Sequence, residues 1–314
     1  VRPTFLMHAG LPRLISTPPA TAYLKIAEGC DNRCAYCVIP SIRGPYRSRP
    51  PEDILREAEG LADLGVRELI VTAQDTTAYG QDLPDRPALP ELLRDLAALR
   101  KLRWIRLLYT YPERLTDALF EVMARNRKIC AYIDMPIQHI DDEVLQAMRR
   151  RGDGALIRER IARARAVIPG VALRTSLIVG FPGETPSRFR RLQAFLEETR
   201  LDHVGIFPYS REEGTPAGNR TPEVSEATKR RRRGTLMTLQ ARISGEINRA
   251  LIGTRQEILI EGPSGNPDYP FVGRCRRQAP DIDGVTYVRG GGLRPGVFVV
   301  RTVLDADAYD LFAG

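Results

Sequence analysis

The chain has 314 residues, a formal net charge of +8 and a sequence pI of about 9.4. Hydrophobic residues make up 43% of it, which is enough to bury one large core and a small one and excludes wholesale disorder. No apolar run approaches the roughly 20 residues of a membrane span, and we expect no signal peptide. The basic charge suits a phosphate-rich partner such as RNA or a ribosome, but an arginine-rich composition alone explains it equally well.

Residues 1–21 show little periodicity and predict a linker or leader. From Ala22 onwards a short apolar run, a polar loop and an amphipathic helix alternate, which predicts parallel βαβ units. About six such units fit an α/β fold, a partial, TIM-like (βα)6 barrel over residues 22–245. The predicted strands are Tyr23–Ala27, Leu69–Val71, Ile105–Leu108, Tyr132–Met135, Val171–Val179 and Val204–Phe207. The predicted helices are Pro51–Leu64, Pro90–Leu99, Leu115–Ala124, Asp141–Arg150, Leu156–Ile168 and Pro186–Glu198.

The sequence pattern changes in the C-terminal part of the chain, after residue 221. A long polar helix is predicted from Pro222 to about Leu251, and it carries the basic run 229–233. A charge run on a helix is usually a solvated face. Short apolar runs punctuated by Gly and Pro then predict a small all-β barrel, of OB-like type, over residues 246–314. Its predicted strands are Gln256–Glu261, Tyr269–Cys275, Val285–Val288 and Gly296–Leu304.

Three of the five cysteines, Cys30, Cys34 and Cys37, lie within eight residues. This spacing is poorly suited to disulfides and well suited to a metal site in a reducing compartment, so we expect a cytoplasmic protein. Three thiolates on a four-iron cluster leave one iron open for a small molecule. A zinc site is the alternative, but it needs a fourth ligand that no nearby residue supplies. Gly29 gives the loop backbone freedom.

The CxxxCxxC spacing, with Tyr36 before the last cysteine, resembles the signature of the radical-SAM superfamily. The resemblance implies that Cys30, Cys34 and Cys37 hold a [4Fe–4S] cluster. It also implies that the open iron binds S-adenosylmethionine (SAM), whose reductive cleavage gives a 5′-deoxyadenosyl radical. Tyr36 is then expected near the adenine. An electron donor such as flavodoxin or ferredoxin follows as a partner.

Polar residues follow each predicted strand, and the carboxyl ends of barrel strands are where active sites gather. Arg174 lies within an otherwise apolar strand and needs an anionic partner, either the SAM carboxylate or a structural Asp or Glu. We interpret His139 as a loop histidine with satisfied hydrogen bonds and favour this slightly over a catalytic role. We assign no catalytic residue. The residues assigned to the SAM site are Tyr36, Gln74, Asp75, Arg174, Ser176, Gly180 and Tyr209.

Longer segments narrow the resemblance to the methylthiotransferases. They include AEGCDNRCAYCVIPSIRGPYRSRP, TAQDTTAYGQD, MPIQHIDDEVLQAMRRRG, RTSLIVGFPGET and FPYSREEGTPA, and the final domain looks like a TRAM domain. Gln74-Asp75-Thr76 and the C-terminal segment resemble the RimO type, which modifies an aspartate of the small-subunit ribosomal protein S-twelve. The tRNA-modifying MiaB type and a non-catalytic module that binds RNA or the ribosome stay open. The motif continues with Arg43, Gly44, Arg47, Ser48 and Arg49. These residues are candidates for shaping the substrate entrance, but for each basic one we favour a solvated side chain.

Methylthiotransferases also have an N-terminal domain with three further cysteines and a second cluster, which this sequence lacks. We therefore expect a fragment with one cluster, competent for SAM cleavage but not for complete sulfur insertion. Cys130 and Cys275 are interpreted as structural. In the implied mechanism, one SAM methylates sulfur at the second cluster and another yields the radical that abstracts hydrogen from an unactivated carbon.

Overall fold

Six parallel strands form one continuous sheet in the computed structural model, which describes residues 5–314. The strand order is β1-β4-β5-β6-β7-β8, and every neighbouring pair is parallel. The predicted partial (βα)6 barrel is therefore confirmed. The strands are β1 (Thr21–Lys25), β2 (Ala27–Glu28), β3 (Arg47–Ser48), β4 (Glu68–Thr72), β5 (Trp104–Leu107), β6 (Ile129–Asp134), β7 (Ala172–Val179) and β8 (His203–Pro208).

Helices connect the strands and cover the outer face of the sheet. Several begin at a side chain that caps the first turn, as Thr116, Asp153 and Thr185 do, because these oxygens accept from backbone amides that have no intrahelical partner. The helices are α1 (Ile39–Arg43), α2 (Pro51–Asp63), α3 (Leu89–Ala98), α4 (Asp117–Arg125), α5 (Asp142–Ala147), α6 (Gly154–Val167), α7 (Pro186–Thr199) and α8 (Glu226–Arg249). None of the helices within residues 5–314 is long and apolar enough to cross a membrane.

Two predicted helices have clearly different ends in the structure. The long helix begins at Glu226 rather than Pro222, because Ser225 accepts from the Thr228 amide and caps it there. Helix α5 ends at Ala147, and Arg149 then takes a positive φ of 56°, which a continuing helix does not allow. Residues 5–20 contain no helix or strand, and residues 1–4 of the predicted linker lie outside the described residues.

The C-terminal strands close into the predicted small barrel, in the order β10-β11-β13-β12-β9. A short last strand, which the sequence did not predict, pairs with β11 and β12 and completes the closure. Closure leaves no sheet edge exposed. The strands are β9 (Arg255–Pro263), β10 (Phe271–Cys275), β11 (Thr286–Val288), β12 (Phe298–Ala306) and β13 (Leu311–Ala313).

The small barrel packs against the amino ends of the parallel strands, on the inner face of the sheet. Trp104 and Tyr132 share one buried cluster there with Leu259 and Ala279. Beside it Glu68 is fully buried between the guanidinium groups of Arg106 and Arg274, at 2.9 and 2.6 Å. The small barrel therefore covers the inner face of the sheet at the amino ends of the strands. The carboxyl ends are left for a functional site.

Candidate functional site

The loop that carries Cys30, Cys34 and Cys37, called the cysteine loop below, follows β1 and β2 at the carboxyl end of the sheet. Backbone hydrogen bonds hold it in place. Gly29 has a φ of 85°, and a Cβ at this position would lie 2.0 Å from the Pro45 carbonyl oxygen, so only glycine fits. The Cys30 amide donates to the Gly44 carbonyl at 3.2 Å. Further along, the Ala35 amide donates to the Met148 carbonyl at 2.8 Å. The loop is therefore held in place by elements far from it in sequence.

The three thiols of this loop are unpaired and largely shielded from solvent. Cys30 and Cys34 are buried, and Cys37 is half-buried. Burial raises the pKa of both the Cys30 and the Cys37 thiol, and the neighbouring Cys34 raises both further. Metal centres bind cysteine as the thiolate, so binding of a metal centre here would release these protons.

The chemistry of the donor set suits an iron–sulfur cluster. Among residues 5–314 no group of three His, Cys, Asp or Glu side chains is arranged as a site for a single metal ion. Thiolates that bind different irons of a cluster stand further apart than those around one ion. Cysteine sulfurs are the usual ligands of such clusters, and hydrogen bonds to them are part of the site.

A hydrogen-bonded chain orients the first of these cysteines. Asn32 Nδ2 lies 3.5 Å from Cys30 Sγ and donates to Asp75 Oδ2 at 2.7 Å. Arg114 Nη1 donates to the same Asp75 oxygen at 2.6 Å and to Asn32 Oδ1 at 3.1 Å. Thr77 satisfies the other carboxylate oxygen at 2.7 Å. Asp75 is thus fully occupied by protein partners and positions the loop, a role the sequence did not indicate for Asn32 or Arg114.

A buried arginine contacts the second cysteine. Arg150 Nη1 lies 3.9 Å from Cys34 Sγ, and Nη2 donates to the Pro136 carbonyl at 2.8 Å. Its guanidinium carbon lies 4.2 Å from the centre of the Tyr111 ring. Burial and then Cys34 raise the pKa of Tyr36, which lies in the same group. Sequence reasoning missed Arg150, since its only signal is a run of three arginines of which the two neighbours are exposed.

Several predicted SAM-site residues meet beside the loop. Tyr36 packs on a cluster that contains Phe181 and Tyr209, whose rings make an edge contact with 5.2 Å between centroids. The Tyr209 hydroxyl is buried without a hydrogen-bond partner, as an atom awaiting a ligand would be. Gly180 has a φ of 76°, and a Cβ there would lie 2.3 Å from Lys229 Cγ, so the backbone turn requires glycine.

Gln74 also lies near the loop. Its Nε2 donates to Glu28 Oε1 at 3.2 Å, and its Oε1 is buried and unpartnered. Glu28 in turn pairs with Lys25. The amide oxygen of Gln74 is therefore a second free acceptor at this end of the sheet.

Arg174 and Ser176 belong to a different group. Arg174 Nη1 pairs with Asp134 Oδ1 at 2.8 Å, and its Nε lies 3.5 Å from Asp283 Oδ1 in the small barrel. Ser176 Oγ is 3.3 Å from the same guanidinium. The structural carboxylate that the sequence left open is thus present, and Arg174 does not need a SAM carboxylate for charge balance. A contact of Arg174 or Ser176 with SAM stays a prediction.

Some basic residues expected to be solvated are buried instead. Lys229 and Arg232 of the helical run are 3% and 5% exposed, where Lys229 Nζ donates to the Tyr209 carbonyl and Arg232 pairs with Glu184. Arg49 is fully buried against acidic residues of α2. The solvated-face interpretation is wrong for these three because each has a buried oxygen to satisfy. His139 is buried, and its Nε2 lies 3.3 Å from Glu184 Oε1. This agrees with the favoured interpretation of a loop histidine with satisfied hydrogen bonds.

Comparison with known proteins agrees with this arrangement. The Radical SAM superfamily model matches residues 24–196, and the TRAM domain model matches residues 252–314. Two solved structures share the fold at low identity. One is the radical SAM methyltransferase TsrM from Kitasatospora setae (TM-score 0.54, 19% identity, 66% of this chain and 42% of that one). The other is coproporphyrinogen III oxidase (HemN) from Escherichia coli (TM-score 0.53, 18% identity, 74% and 54%).

Sequence identity to two curated relatives is much higher than to these solved structures. The ribosomal protein uS12 methylthiotransferase RimO of Syntrophus aciditrophicus is 65% identical over 313 residues, which are 99% of this chain and 69% of that protein. The protein of the same name from Geobacter sulfurreducens is 52% identical over 309 residues, 98% of this chain and 69% of that protein. The chain therefore belongs to the radical SAM superfamily and, within it, to the RimO family of methylthiotransferases.

Proposed function

We propose that this chain carries the radical-SAM centre of a methylthiotransferase that converts a C–H bond into C–SCH3 on an aspartate of ribosomal protein uS12. The observation that carries the proposal is the clamped loop with three unpaired cysteines at the carboxyl end of the parallel sheet. Relatives named for the same activity cover almost the whole chain. We also propose 22–245 and 246–314 as its two domains.

Cys30, Cys34 and Cys37 would hold a [4Fe–4S] cluster, which when bound supplies the electron that cleaves SAM into a hydrogen-abstracting radical. Asn32 and Arg150 orient the sulfur ligands by their contacts with Cys30 and Cys34. The apolar cluster around Phe181 keeps water from this end of the sheet.

We propose that SAM contacts two polar atoms without protein partners and one aromatic side chain. The unpartnered Tyr209 hydroxyl and Gln74 Oε1 face no protein donor, so polar groups of a ligand can satisfy them. Tyr36 would pack on the adenine, and Gly180 keeps the backbone turn beside it free of a side chain. Asp75, already saturated by protein donors, acts through Asn32 rather than by direct contact.

A protein substrate is favoured over tRNA by where the positive charge lies. Part of the basic run on α8 is buried in ion pairs and carbonyl contacts, which removes it from any surface for RNA. We further propose a cytoplasmic location, as for an enzyme that meets ribosomal proteins, and an electron donor of the flavodoxin or ferredoxin type.

The test is an anaerobic assay of the reconstituted protein with SAM and dithionite, followed by mass spectrometry. We expect 5′-deoxyadenosine from this chain, and a methylthio group on uS12 when the full-length protein is assayed. Absence of 5′-deoxyadenosine would favour the non-catalytic module. A methylthio group on tRNA and none on uS12 would favour the MiaB-type activity.

We propose a single cluster for this chain. Cys130 and Cys275 are fully buried in two separate hydrophobic clusters, away from a third cysteine. The chain spans about 69% of the length of the curated relatives that it matches. Iron and sulfide analysis should give about four irons per chain. A value near eight would contradict the one-cluster proposal.

A further inference from the structure

Arg150 brings a positive charge directly to the cysteine loop. We propose that Arg150 sets the reduction potential of the cluster by contacting Cys34 Sγ and stabilising the reduced, more negative state. The inference deepens the proposed function, since it depends on Cys30, Cys34 and Cys37 holding a [4Fe–4S] centre. Arg150 is a positioning and tuning residue, since it acts through the sulfur of Cys34.

Three contacts fix the guanidinium of Arg150 in one orientation. Nη2 donates to the Pro136 carbonyl at 2.8 Å, the plane lies against the Tyr111 ring at 4.2 Å, and Nη1 is left 3.9 Å from Cys34 Sγ. The side chain is 8% exposed. A guanidinium held in this way cannot turn away to solvent, so its charge stays at the sulfur.

The same turn that presents Arg150 also holds the loop. The Met148 carbonyl accepts the Ala35 amide at 2.8 Å, and the Arg150 amide donates to the Leu145 carbonyl at 2.9 Å. Between them Arg149 has a positive φ of 56° and points to solvent. The end of α5 therefore couples the backbone position of the cysteine loop to the placement of one cation.

The sign of the effect follows from charge. Reduction adds one negative charge to the cluster, and cluster potentials depend on net charge and on hydrogen bonds to the sulfurs. Arginine keeps its proton under all relevant conditions. Because the pair is buried, solvent and salt screen it weakly. A cation beside Cys34 thus favours the reduced state and makes electron uptake from a weak donor easier.

Within residues 5–314, Cys30 has no cationic contact like the one that Arg150 makes with Cys34. There the donor is the neutral amide of Asn32, and the nearby charge of Arg114 is neutralised by Asp75 at 2.6 Å. Of these two sulfurs, Cys34 is therefore the one with a direct cationic contact. A substitution at Arg150 should change it without disturbing the Asp75–Arg114 pair.

The experiment compares Arg150→Gln, Arg150→Lys and the matched control Arg151→Gln, which removes the charge of an exposed neighbour. Each protein is reconstituted anaerobically, its iron and sulfide are quantified, and the cluster is titrated with EPR detection in the absence of substrate. We expect Arg150→Gln to lower the equilibrium constant for reduction about tenfold, a shift of about 59 mV to more negative potential for one electron. Arg150→Lys should retain most of the wild-type potential, and Arg151→Gln all of it.

An unchanged potential in an Arg150→Gln protein with full iron content would overturn the proposal. If that variant does not retain iron, Arg150→Lys decides, because it keeps the charge while changing the hydrogen-bond geometry. A wild-type potential in the Lys variant then supports the proposal, and a shift to negative potential overturns it. Failure of the proposed function would be seen differently, as a normal set of potentials in a protein that forms no 5′-deoxyadenosine from SAM and dithionite.

Discussion

The two ends of the parallel sheet use buried polar side chains in opposite ways. At the amino end, Glu68 lies between Arg106 and Arg274, and this ion cluster fastens the small barrel to the sheet. At the carboxyl end, the Tyr209 hydroxyl and Gln74 Oε1 are buried without a hydrogen-bond partner, and the three thiols of the cysteine loop form no disulfide. The comparison therefore assigns ion pairing across the domain contact to the amino end and, on the proposal above, ligand binding to the carboxyl end.

At the amino end, the buried charges of Glu68, Arg106 and Arg274 are paired with one another across the domain contact. Arg274 also pairs with Glu261 at 2.7 Å, so the cluster bridges β4 of the sheet with β9 and β10 of the small barrel. A buried charge that loses its partner is strongly destabilising. Substitutions at this end should therefore act on folding and docking, and those at the other end on ligand binding.

The largest effect is expected at the carboxyl end, from the cysteines. Cys34→Ala should abolish cluster incorporation and 5′-deoxyadenosine formation, because two remaining thiolates hold the centre poorly. Cys130→Ala is the matched control, since Cys130 is fully buried in a hydrophobic cluster away from the loop. It should keep its iron while losing some stability. Iron analysis and circular dichroism of both variants check this, and wild-type iron content in Cys34→Ala would contradict it.

At the amino end, Glu68→Gln should destabilise the protein by about 3–5 kcal/mol, because it leaves the buried Arg106 guanidinium without a counter-charge and Arg274 with Glu261 alone. Denaturant unfolding followed by fluorescence of Trp104 suits the measurement, since this single tryptophan lies at the domain contact. Asp63→Asn is the control. It removes an exposed pair with Lys101 and should leave the midpoint unchanged. Equal midpoints for Glu68→Gln and wild type would refute the role of the ion cluster.

Low pH should weaken the ion cluster of Glu68 at the amino end of the sheet and so lower the free energy of unfolding. Burial alone would raise the pKa of Glu68, but Arg274 and Arg106 together lower it to about 2, against about 4.5 for the free side chain. A lowered folded-state pKa gives stability that is present above pH 4.5 and is lost as the pH falls towards 2, by about 3 kcal/mol in all. The difference in unfolding free energy between wild type and Glu68→Gln should shrink over this range. A difference independent of pH would contradict the assignment.

Periodicity and motif spacing predicted the barrel, the small β-domain and the cysteine loop, because these depend on local pattern. Asn32, Arg114 and Arg150 were not predicted, since each meets its partner across long sequence separations that no periodicity encodes. The burial of Lys229 and Arg232 was missed for a related reason. Within a run of cations, only the fold decides which side chains find a buried carbonyl or carboxylate.

The smallest effect tests whether the carboxyl end awaits a ligand. Tyr209→Phe removes a buried hydroxyl that has no partner, so the unfolding free energy should stay equal or rise by about 1 kcal/mol. SAM should bind up to roughly tenfold more weakly, since a hydrogen bond to the ligand is lost. Tyr79→Phe is the matched control, because its hydroxyl donates to the Arg49 carbonyl at 2.9 Å. It should lower the unfolding free energy by about 1 kcal/mol and leave SAM binding unchanged. Calorimetric titration of the reconstituted variants and denaturant unfolding separate the two, and equal loss of stability in both would show that the Tyr209 hydroxyl serves the fold rather than a ligand.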